Sequence, residues 1–89
     1  DIFNLNLTLD LNGKNRQTGN TSLMIFNFNF LIAHLSSYIT LMPGDIITTG
    51  TPPGVGLGMN PPQFLKDGDE MHLKVDNLGE QKLKVIKEK

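Results

Sequence analysis

The chain has 89 residues, 38% of them hydrophobic, no cysteine, and a formal net charge of −1 at pH 7. A chain of this length forms one small domain, and its folding buries only about 60–65% of the surface that the unfolded chain exposes. Without cysteine no disulfide compensates for a small core, and the near-neutral charge creates no field that attracts nucleic acid or an anionic membrane. The composition therefore predicts a domain that is stabilised by contact with a partner surface. Neither nucleic acid nor a membrane is expected as that partner.

The first residues predict a β-hairpin. From Phe3 to Leu11, apolar side chains at odd positions alternate with polar ones at even positions. This period of two is typical of a strand with one buried face. Asn12-Gly13 is a preferred two-residue hairpin turn, because both residues tolerate positive φ. We therefore expect a strand ending at Leu11 to pair with an antiparallel return strand over residues 14–18.

A helix is predicted next. Residues 23–26 are a short apolar run that we expect to end a strand, and Asn27 is of a type that caps helices. The apolar side chains that follow recur at steps of three and four residues, which indicates an amphipathic helix of about three turns. They are Phe28, Leu31, Ile32, Leu35, Tyr38 and Ile39. Pro43 lies beyond the predicted end of the helix, and we expect the helix to pack on the sheet.

The central stretch, residues 41–58, predicts a turn, a strand and a loop. Pro43-Gly44-Asp45 has the chemistry of a turn, and Ile46–Thr49 is a β-branched run that suits a half-buried strand. Glycine and proline then dominate residues 50–58. The hydroxyl of Thr51 and free backbone N–H groups near it suit an anion. On these residues alone, a hydroxyl that only closes the turn is the favoured interpretation.

The last third predicts a second hairpin. Residues 65–69 repeat the leucine, turn and Gly-Asp order of residues 41–45. Alternation then predicts a strand over residues 71–75, a turn at residues 77–79 and a return strand over residues 81–86. Five or six short strands with one helix define a mostly antiparallel, β-rich α+β domain.

Two kinds of site are excluded by local context. The glycines of residues 54–58 do not form a dinucleotide fingerprint, because Pro61-Pro62 follows them where such a motif opens a helix. No Gly-Lys-Ser or Gly-Lys-Thr is present for a phosphate loop. The two histidines, His34 and His72, have no second ligand at metal spacing. Both are interpreted as surface or boundary residues.

The carboxylates do not form a catalytic constellation either. Asp45 and Asp69 lie in predicted turns, where capping of their own backbone is the default role. Glu80 and Glu88 lie on a charged edge. No pair is spaced for acid–base work or a metal site, so the residues of this chain predict no complete catalytic centre.

Five segments, taken in order, resemble the C-terminal part of the fumarylacetoacetate hydrolase superfamily. They are RQTGNTSLMIF (16–26), LIAHLS (31–36), PGDIITTGTPPGVG (43–56), PPQFLKDGDEM (61–71) and NLGEQ (77–81). The fourth segment is most similar to the branch of fumarylacetoacetate hydrolase domain-containing protein 2 and its bacterial relatives. Together with the earlier Asn12-Gly13, the resemblance extends over essentially the whole chain.

The resemblance implies a mixed β-sandwich roll, usually a homodimer, of which this chain would be the C-terminal part. It also implies a Mg²⁺ (or Mn²⁺, Ca²⁺) site of three acidic ligands and a lysine that holds the 2-oxo acid group of a substrate. Family members cleave C–C bonds, hydrate, decarboxylate, or interconvert enol and keto forms of acids such as oxaloacetate. The compartment implied is the cytoplasm, with the mitochondrial matrix as the alternative.

Residue by residue, the resemblance transfers little chemistry to this chain. Thr51 matches a threonine that contacts the substrate carboxylate, with Gly50 beside it, and Pro52, Gly54 and Gly56 shape that loop. The metal ligands, the lysine and the acid–base residues match positions before Asp1, so none is expected here. The resemblance thus implies a fragment, inactive alone, that supplies a substrate-binding wall without catalytic or metal-binding residues. The alternative is a non-catalytic binding or assembly module that retains the fold.

Overall fold

A computed structural model describes residues 1–88. These residues form a four-stranded antiparallel sheet with the strand order β2-β1-β3-β4, and one α-helix. The elements are β1 (Asn6–Leu11), β2 (Lys14–Asn20), α1 (Phe28–Ser36), β3 (Glu70–Val75) and β4 (Gly79–Lys84). The predicted β-rich α+β class with one helix is confirmed, and the described residues contain four strands where five or six were expected.

The first hairpin forms where the sequence predicts it. Asn12 and Gly13 adopt φ angles of 51° and 79°, and Leu11 pairs with Lys14 across the turn. β1 also pairs with β3, and this pairing sets its leucines at positions 7, 9 and 11 opposite the apolar residues of β3 at positions 75, 73 and 71. One face of the central strands is therefore continuous and apolar; we call it the leucine face.

A β-bulge changes the register within the first hairpin. Asp10 lies opposite Asn15, but Leu9 lies opposite Gln17, so Arg16 is an extra residue in β2. Because side chains alternate between the two faces of a strand, one extra residue moves every later side chain to the other face. The bulge therefore brings Gln17 level with Leu9 on the leucine face.

The two predicted Gly-Asp turns have the same geometry. The backbone N–H of Met42 donates to Asp45 Oδ2 over 2.8 Å, and the N–H of Lys66 donates to Asp69 Oδ2 over the same distance. The glycine before each aspartate has positive φ, 93° at position 44 and 89° at position 68. The aspartates therefore cap their own turns, as the sequence predicts.

Two predicted strand segments are not strands in the structure. Ile46–Thr49 has no regular secondary structure, and Ile46 is 93% exposed. No strand among residues 1–88 pairs with this segment. β-branched residues favour a strand by packing on a half-buried sheet surface, and here that surface is missing. The segment Leu23–Phe26, expected to end a strand, begins within a 3₁₀ turn at Thr21–Leu23, and the residues after this turn are irregular.

The helix begins as predicted and ends earlier. Asn27 Oδ1 accepts a hydrogen bond of 2.8 Å from the backbone N–H of Phe30, which is an N-cap. α1 ends at Ser36, and the hydroxyl of Ser37 donates to the carbonyl oxygen of His34 over 2.6 Å. Serine side chains that bond the backbone in this way compete with continued helix. The helix has nine residues, not the three turns expected up to Ile39.

The helix and the sheet are separated by a cavity. The ring of Phe28 lies 6.3 Å from that of Phe3, just before β1. Beyond this contact, Phe28 and Leu31 line a cavity of about 540 Å³ whose other side includes Leu7 of β1. The expected packing of the helix on the sheet is therefore limited to one end of α1.

Little of the apolar surface is buried within this chain. Leu5, which is 7% exposed, is the only hydrophobic residue among residues 1–88 that is classed as buried. Ile25 and Ile46 are each 93% exposed. No helix in the described part of the chain combines the length and the apolar character needed to cross a membrane.

Candidate functional site

The loop of residues 50–58 lies across β2. A Cβ atom built on Gly19 of β2 would come within 3.0 Å of the Cβ of Pro52, so the proline ring packs directly over this glycine. At Gly54, where φ is +117°, a Cβ atom would lie 2.0 Å from the carbonyl oxygen of Arg16. Only glycine fits this approach. The loop therefore rests on the backbone of β2 at two points.

A glutamine from β2 holds the start of this loop. Gln17 Nε2 donates to Thr51 Oγ1 and to the carbonyl oxygen of Pro52, each over 2.7 Å. Gln17 is half-buried, whereas Thr51 is exposed. Gly50, which precedes Thr51, has a φ of 92°. The threonine hydroxyl is thus fixed at the surface by a donor from beneath.

The far end of the loop is anchored by Arg16. Its guanidinium Nη1 donates to Gln63 Oε1 over 3.0 Å, and the backbone N–H of Gln63 donates to the carbonyl oxygen of Gly56 over 2.9 Å. A Cβ atom on Gly56 would lie 1.8 Å from the carbonyl oxygen of Gln63, so this position also requires glycine. Adjacent residues of β2 therefore secure both ends of the loop.

Thr51 lies where two open cavities meet. The cavity of about 540 Å³ extends from the loop towards α1, and a second cavity of about 340 Å³ extends over the leucine face towards β3 and β4. Gly50, Thr51 and Pro52 line both. The structure thus places Thr51 and Gly50 on a wall between two spaces, with Pro52 on that wall and Gly54 and Gly56 further along the loop.

The glycine run of this loop does not adopt the structure of a nucleotide-binding motif. Gly56–Gly58 forms a three-residue 3₁₀ turn, and coil follows it. A dinucleotide fingerprint needs an α-helix whose N-terminus faces the pyrophosphate. The exclusion of a nucleotide site on local context agrees with this geometry.

The histidines lie away from Thr51. His34 is exposed on α1 and stacks on the ring of Phe30, with a centroid distance of 6.0 Å. His72 Nε2 lies 2.7 Å from Glu80 Oε2, and this hydrogen bond lowers the pKa of Glu80 below its usual range. His72 alternates with Leu73, which faces the second cavity, so the His72–Glu80 pair lies on the opposite face of the sheet.

No metal centre is formed by the described residues. Within residues 1–88, no three histidine, aspartate or glutamate side chains lie close enough together to hold a metal ion. Asp45 and Asp69 are engaged in their turns, and Glu88 is exposed. The donor set of this chain therefore does not fit the acidic metal site that the resemblance implies.

Sequence reasoning did not single out Gln17 or Arg16, the residues that hold the loop. Both lie in a polar segment in which every alternate position is also polar, so periodicity does not reveal which face they occupy. The bulge at Arg16 is the feature that orients them. Their distance from the loop along the chain hides the contact as well, since Gln17 and Thr51 are 34 positions apart.

Comparison with known proteins gives the family. The family model described as "Fumarylacetoacetate (FAA) hydrolase C-terminal" matches residues 1–86. The curated relatives are 51–56% identical to the chain, which spans only 25–29% of their length. The matched relatives are thus much longer than this chain.

Three solved structures show how closely the fold agrees. A fumarylacetoacetate hydrolase from Exiguobacterium antarcticum superposes with a TM-score of 0.94 at 36% identity, covering 99% of this chain and 32% of that one. A 5-carboxymethyl-2-hydroxymuconate delta-isomerase from Mycobacterium smegmatis gives 0.85 at 35% identity, covering 100% and 33%. A maleylpyruvate hydrolase from Sphingobium sp. SYK-6, in complex with manganese(II) and pyruvate, gives 0.88 at 37% identity, covering 100% and 31%.

These structures share the fold of the chain and include both hydrolases and an isomerase, one of them with a divalent metal ion. The family model covers all of the residues that form the Thr51 loop, its support on β2 and the leucine face. The chain belongs to the fumarylacetoacetate hydrolase family.

Proposed function

We propose that this chain is the C-terminal part of the catalytic domain of a metal-dependent enzyme that acts on 2-oxo acids, and that Thr51 and Gly50 form the wall that receives the substrate carboxylate. The observation that carries the proposal is the Thr51 hydroxyl, which is held at the meeting point of two cavities by a hydrogen bond from Gln17. The maleylpyruvate hydrolase with bound pyruvate supports a 2-oxo acid as the ligand class.

In this proposal, the residues of the loop bind the substrate, orient Thr51 or hold the loop in place. The Thr51 hydroxyl donates a hydrogen bond to a carboxylate oxygen, and such a bond to a charged acceptor is worth roughly twice a neutral one. Gly50, at a φ of 92°, turns the chain so that Thr51 faces the cavities. Pro52, Gly54 and Gly56 keep the loop against β2.

The metal of this proposal is Mg²⁺ or Mn²⁺, and its ligands come from outside the described residues. Residues 1–88 contain no group of three donors that fits it, so we assign no catalytic residue and no metal ligand to this chain. The isolated chain is accordingly expected to be inactive. The whole protein, in the proposal, is a homodimer of the cytoplasm, in the branch of fumarylacetoacetate hydrolase domain-containing protein 2.

The proposed reaction is one of four that take place on 2-oxo acids. They are hydrolysis of a C–C bond, hydration, decarboxylation, and enol–keto tautomerisation, as of oxaloacetate. All four need a carboxylate that is held while the neighbouring carbonyl reacts, and the Thr51 wall serves each of them. A non-catalytic binding or assembly module is the alternative. Turnover of oxaloacetate enol or an acylpyruvate by the full-length protein separates the two, because a module converts neither.

The role of Thr51 is tested by replacing it with valine, which has nearly the same shape and no hydroxyl. In the full-length protein, Thr51→Val should raise KM for the 2-oxo acid by roughly five- to thirtyfold, equivalent to about 1–2 kcal/mol for a bond to a charged acceptor. Thr51→Ser keeps the hydroxyl and should leave KM within about threefold. Unchanged KM and turnover in Thr51→Val would refute the role of Thr51.

A further inference from the structure

We propose that Gln17 is a positioning residue: it occupies the acceptor side of the Thr51 hydroxyl, so that the hydroxyl proton is directed to the substrate carboxylate. The inference rests on the proposed function, because it takes the carboxylate as the ligand of Thr51. It extends that function to a residue of β2 that stands beneath the loop.

The hydrogen bonds identify the donor. Gln17 Nε2 lies 2.7 Å from the carbonyl oxygen of Pro52, and a carbonyl oxygen can only accept, so the atom facing it is the amide nitrogen. This nitrogen carries two hydrogens, and the second is directed to Thr51 Oγ1, also over 2.7 Å. The Pro52 carbonyl therefore fixes the orientation of the Gln17 amide, and through it the role of Thr51 as an acceptor towards β2.

This arrangement leaves the proton of Thr51 for another partner. A threonine hydroxyl has one proton and two lone pairs, and Gln17 takes one lone pair. Within residues 1–88, Thr51 Oγ1 makes no other side-chain hydrogen bond. An ionised carboxylate only accepts hydrogen bonds. The pair thus presents a donor to a ligand that needs one, and the bond from Gln17 polarises the hydroxyl and strengthens the second bond.

The backbone of β2 is built to put Gln17 in this place. The extra residue Arg16 brings Gln17 opposite Leu9, on the face that the loop covers. Bulges often redirect a side chain next to a functional site. Gly54 allows the loop to approach closely, since a Cβ atom there would also come within 3.0 Å of Gln17 Cγ. The half-buried glutamine is therefore confined between β2 and the loop.

The test measures KM, kcat and pyruvate binding in the full-length protein with Mg²⁺ present. Gln17→Met keeps the length of the side chain and removes both donors. It should raise KM and the Kd of pyruvate by roughly three- to tenfold, as expected for loss of one oriented hydrogen bond, with kcat within about twofold. Gln17→Glu should raise both further, because a carboxylate accepts the Thr51 proton that the ligand needs and repels the ligand's charge.

Gln63→Met is the matched control. It removes the bond from Arg16 that secures the far end of the same loop and does not touch Thr51. The inference expects a clearly smaller rise in KM for Gln63→Met than for Gln17→Met. Equal rises would show that Gln17 only tethers the loop, which overturns the inference. All variants are compared below their melting temperatures, and Gln17→Glu replaces Gln17→Met if the latter does not fold.

A double-mutant cycle with Thr51→Val separates this inference from the proposed function. If Gln17 acts through the hydroxyl, Gln17→Met should raise KM in the Thr51 protein and add little in the Thr51→Val protein. Equal rises in both backgrounds overturn the positioning role and leave the role of Thr51 intact. If Thr51→Val by itself leaves KM and turnover unchanged, the proposed role of Thr51 in substrate binding is refuted, whatever Gln17→Met does.

Discussion

A single residue, Asn12, connects the β1–β2 hairpin to the β3–β4 hairpin. Its positive φ of 51° forms the first turn, and its side chain reaches the start of the second hairpin. Asn12 Nδ2 donates to Asp69 Oδ1 over 3.0 Å, and Asn12 Oδ1 accepts from the backbone N–H of Glu70 over 2.9 Å. A residue chosen for turn geometry thus also helps to set the pairing of β1 with β3.

The bond from Asn12 makes stability depend on pH. It is the largest cause of the lowered pKa of Asp69, followed by the bond from the backbone N–H of Lys66. A carboxyl with a lowered pKa in the folded state contributes stability that is full above its unfolded value, 3.8 for aspartate, and that is lost as pH falls through the folded value. This contribution should therefore be present at pH 7 and disappear below pH 3.8.

We predict that Asn12→Gly lowers the urea midpoint of unfolding of the full-length protein at pH 7. This substitution keeps the positive φ and removes the side-chain hydrogen bonds. The difference from the unaltered protein should narrow as pH falls below 3.8, because Asp69 becomes protonated in both. Asn77→Gly is the control: Asn77 also has positive φ, 61°, and within residues 1–88 its side chain makes no hydrogen bond to an aspartate. A difference for Asn12→Gly that stays constant down to pH 2 would contradict the linkage.

At the level of the element, two equal turns lead to different structures. Residues 42–45 and 66–69 share the same aspartate cap and the same positive-φ glycine. The second turn leads into β3, which pairs with β1 and β4, whereas the first leads into Ile46–Thr49, which pairs with no strand of the described chain. The turn determines where a strand can begin, and the neighbouring segments determine whether it forms.

The same glycine-to-alanine change should have different results in two loops. Gly44 and Gly54 both have positive φ, so alanine costs roughly 1–2 kcal/mol of strain at either site. Of these two positions, only Gly54 would bring the added Cβ against backbone, at the Arg16 carbonyl oxygen; at Gly44 no other part of the described chain lies within 4 Å. Gly54→Ala should displace the loop from β2 and raise KM at least as much as Gln17→Met, whereas Gly44→Ala should lower the melting temperature with KM unchanged.

This comparison is made by melting and kinetics of the full-length protein. If Gly54→Ala and Gly44→Ala changed KM equally, contact of the loop with Arg16 would not matter for substrate binding. The proposal that Gly54 shapes the substrate wall would then fail, while the strain at both glycines would still appear in the melting temperature.

At the level of the whole molecule, the apolar surface exceeds what the chain can cover. The leucine face is open to a cavity of about 340 Å³. Along and beside α1, four exposed rings lie in a row: Phe26 stacks on Phe30 and Phe30 on His34, with centroid distances of 4.8 and 6.0 Å, and Tyr38 meets His34 edge-on at 5.3 Å. Large exposed apolar patches are uncommon on monomeric proteins and mark surfaces that another structure covers.

We therefore predict that the polypeptide of residues 1–89, prepared alone, self-associates or unfolds over a broad temperature range. The physical reason is that Leu5 is the only hydrophobic residue of the described chain classed as buried, so the isolated chain lacks a core. Sedimentation velocity gives the oligomeric state, and circular dichroism follows unfolding. A sharp two-state melt of a monomer would contradict this expectation.

The sequence by itself determined the local structures: the Asn12-Gly13 turn, the Asn27 cap and the paired Gly-Asp turns. Each depends on φ preferences and hydrogen bonds among residues at most a few positions apart, so the residue types are sufficient. The resemblance carried by five segments likewise led to the family. It also drew attention to Thr51, whose chemistry the residues alone left undecided.

Only the tertiary structure decided what surrounds Thr51 and which apolar segments become strands. Periodicity does not reveal the hydrogen bond between Gln17 and Thr51, because a bulge at Arg16 changes the register and the two residues are 34 positions apart. Ile46–Thr49 has strand composition but no partner among the described residues. Both depend on contacts between segments far apart in the chain, and those contacts are set by register and packing, not by local preference.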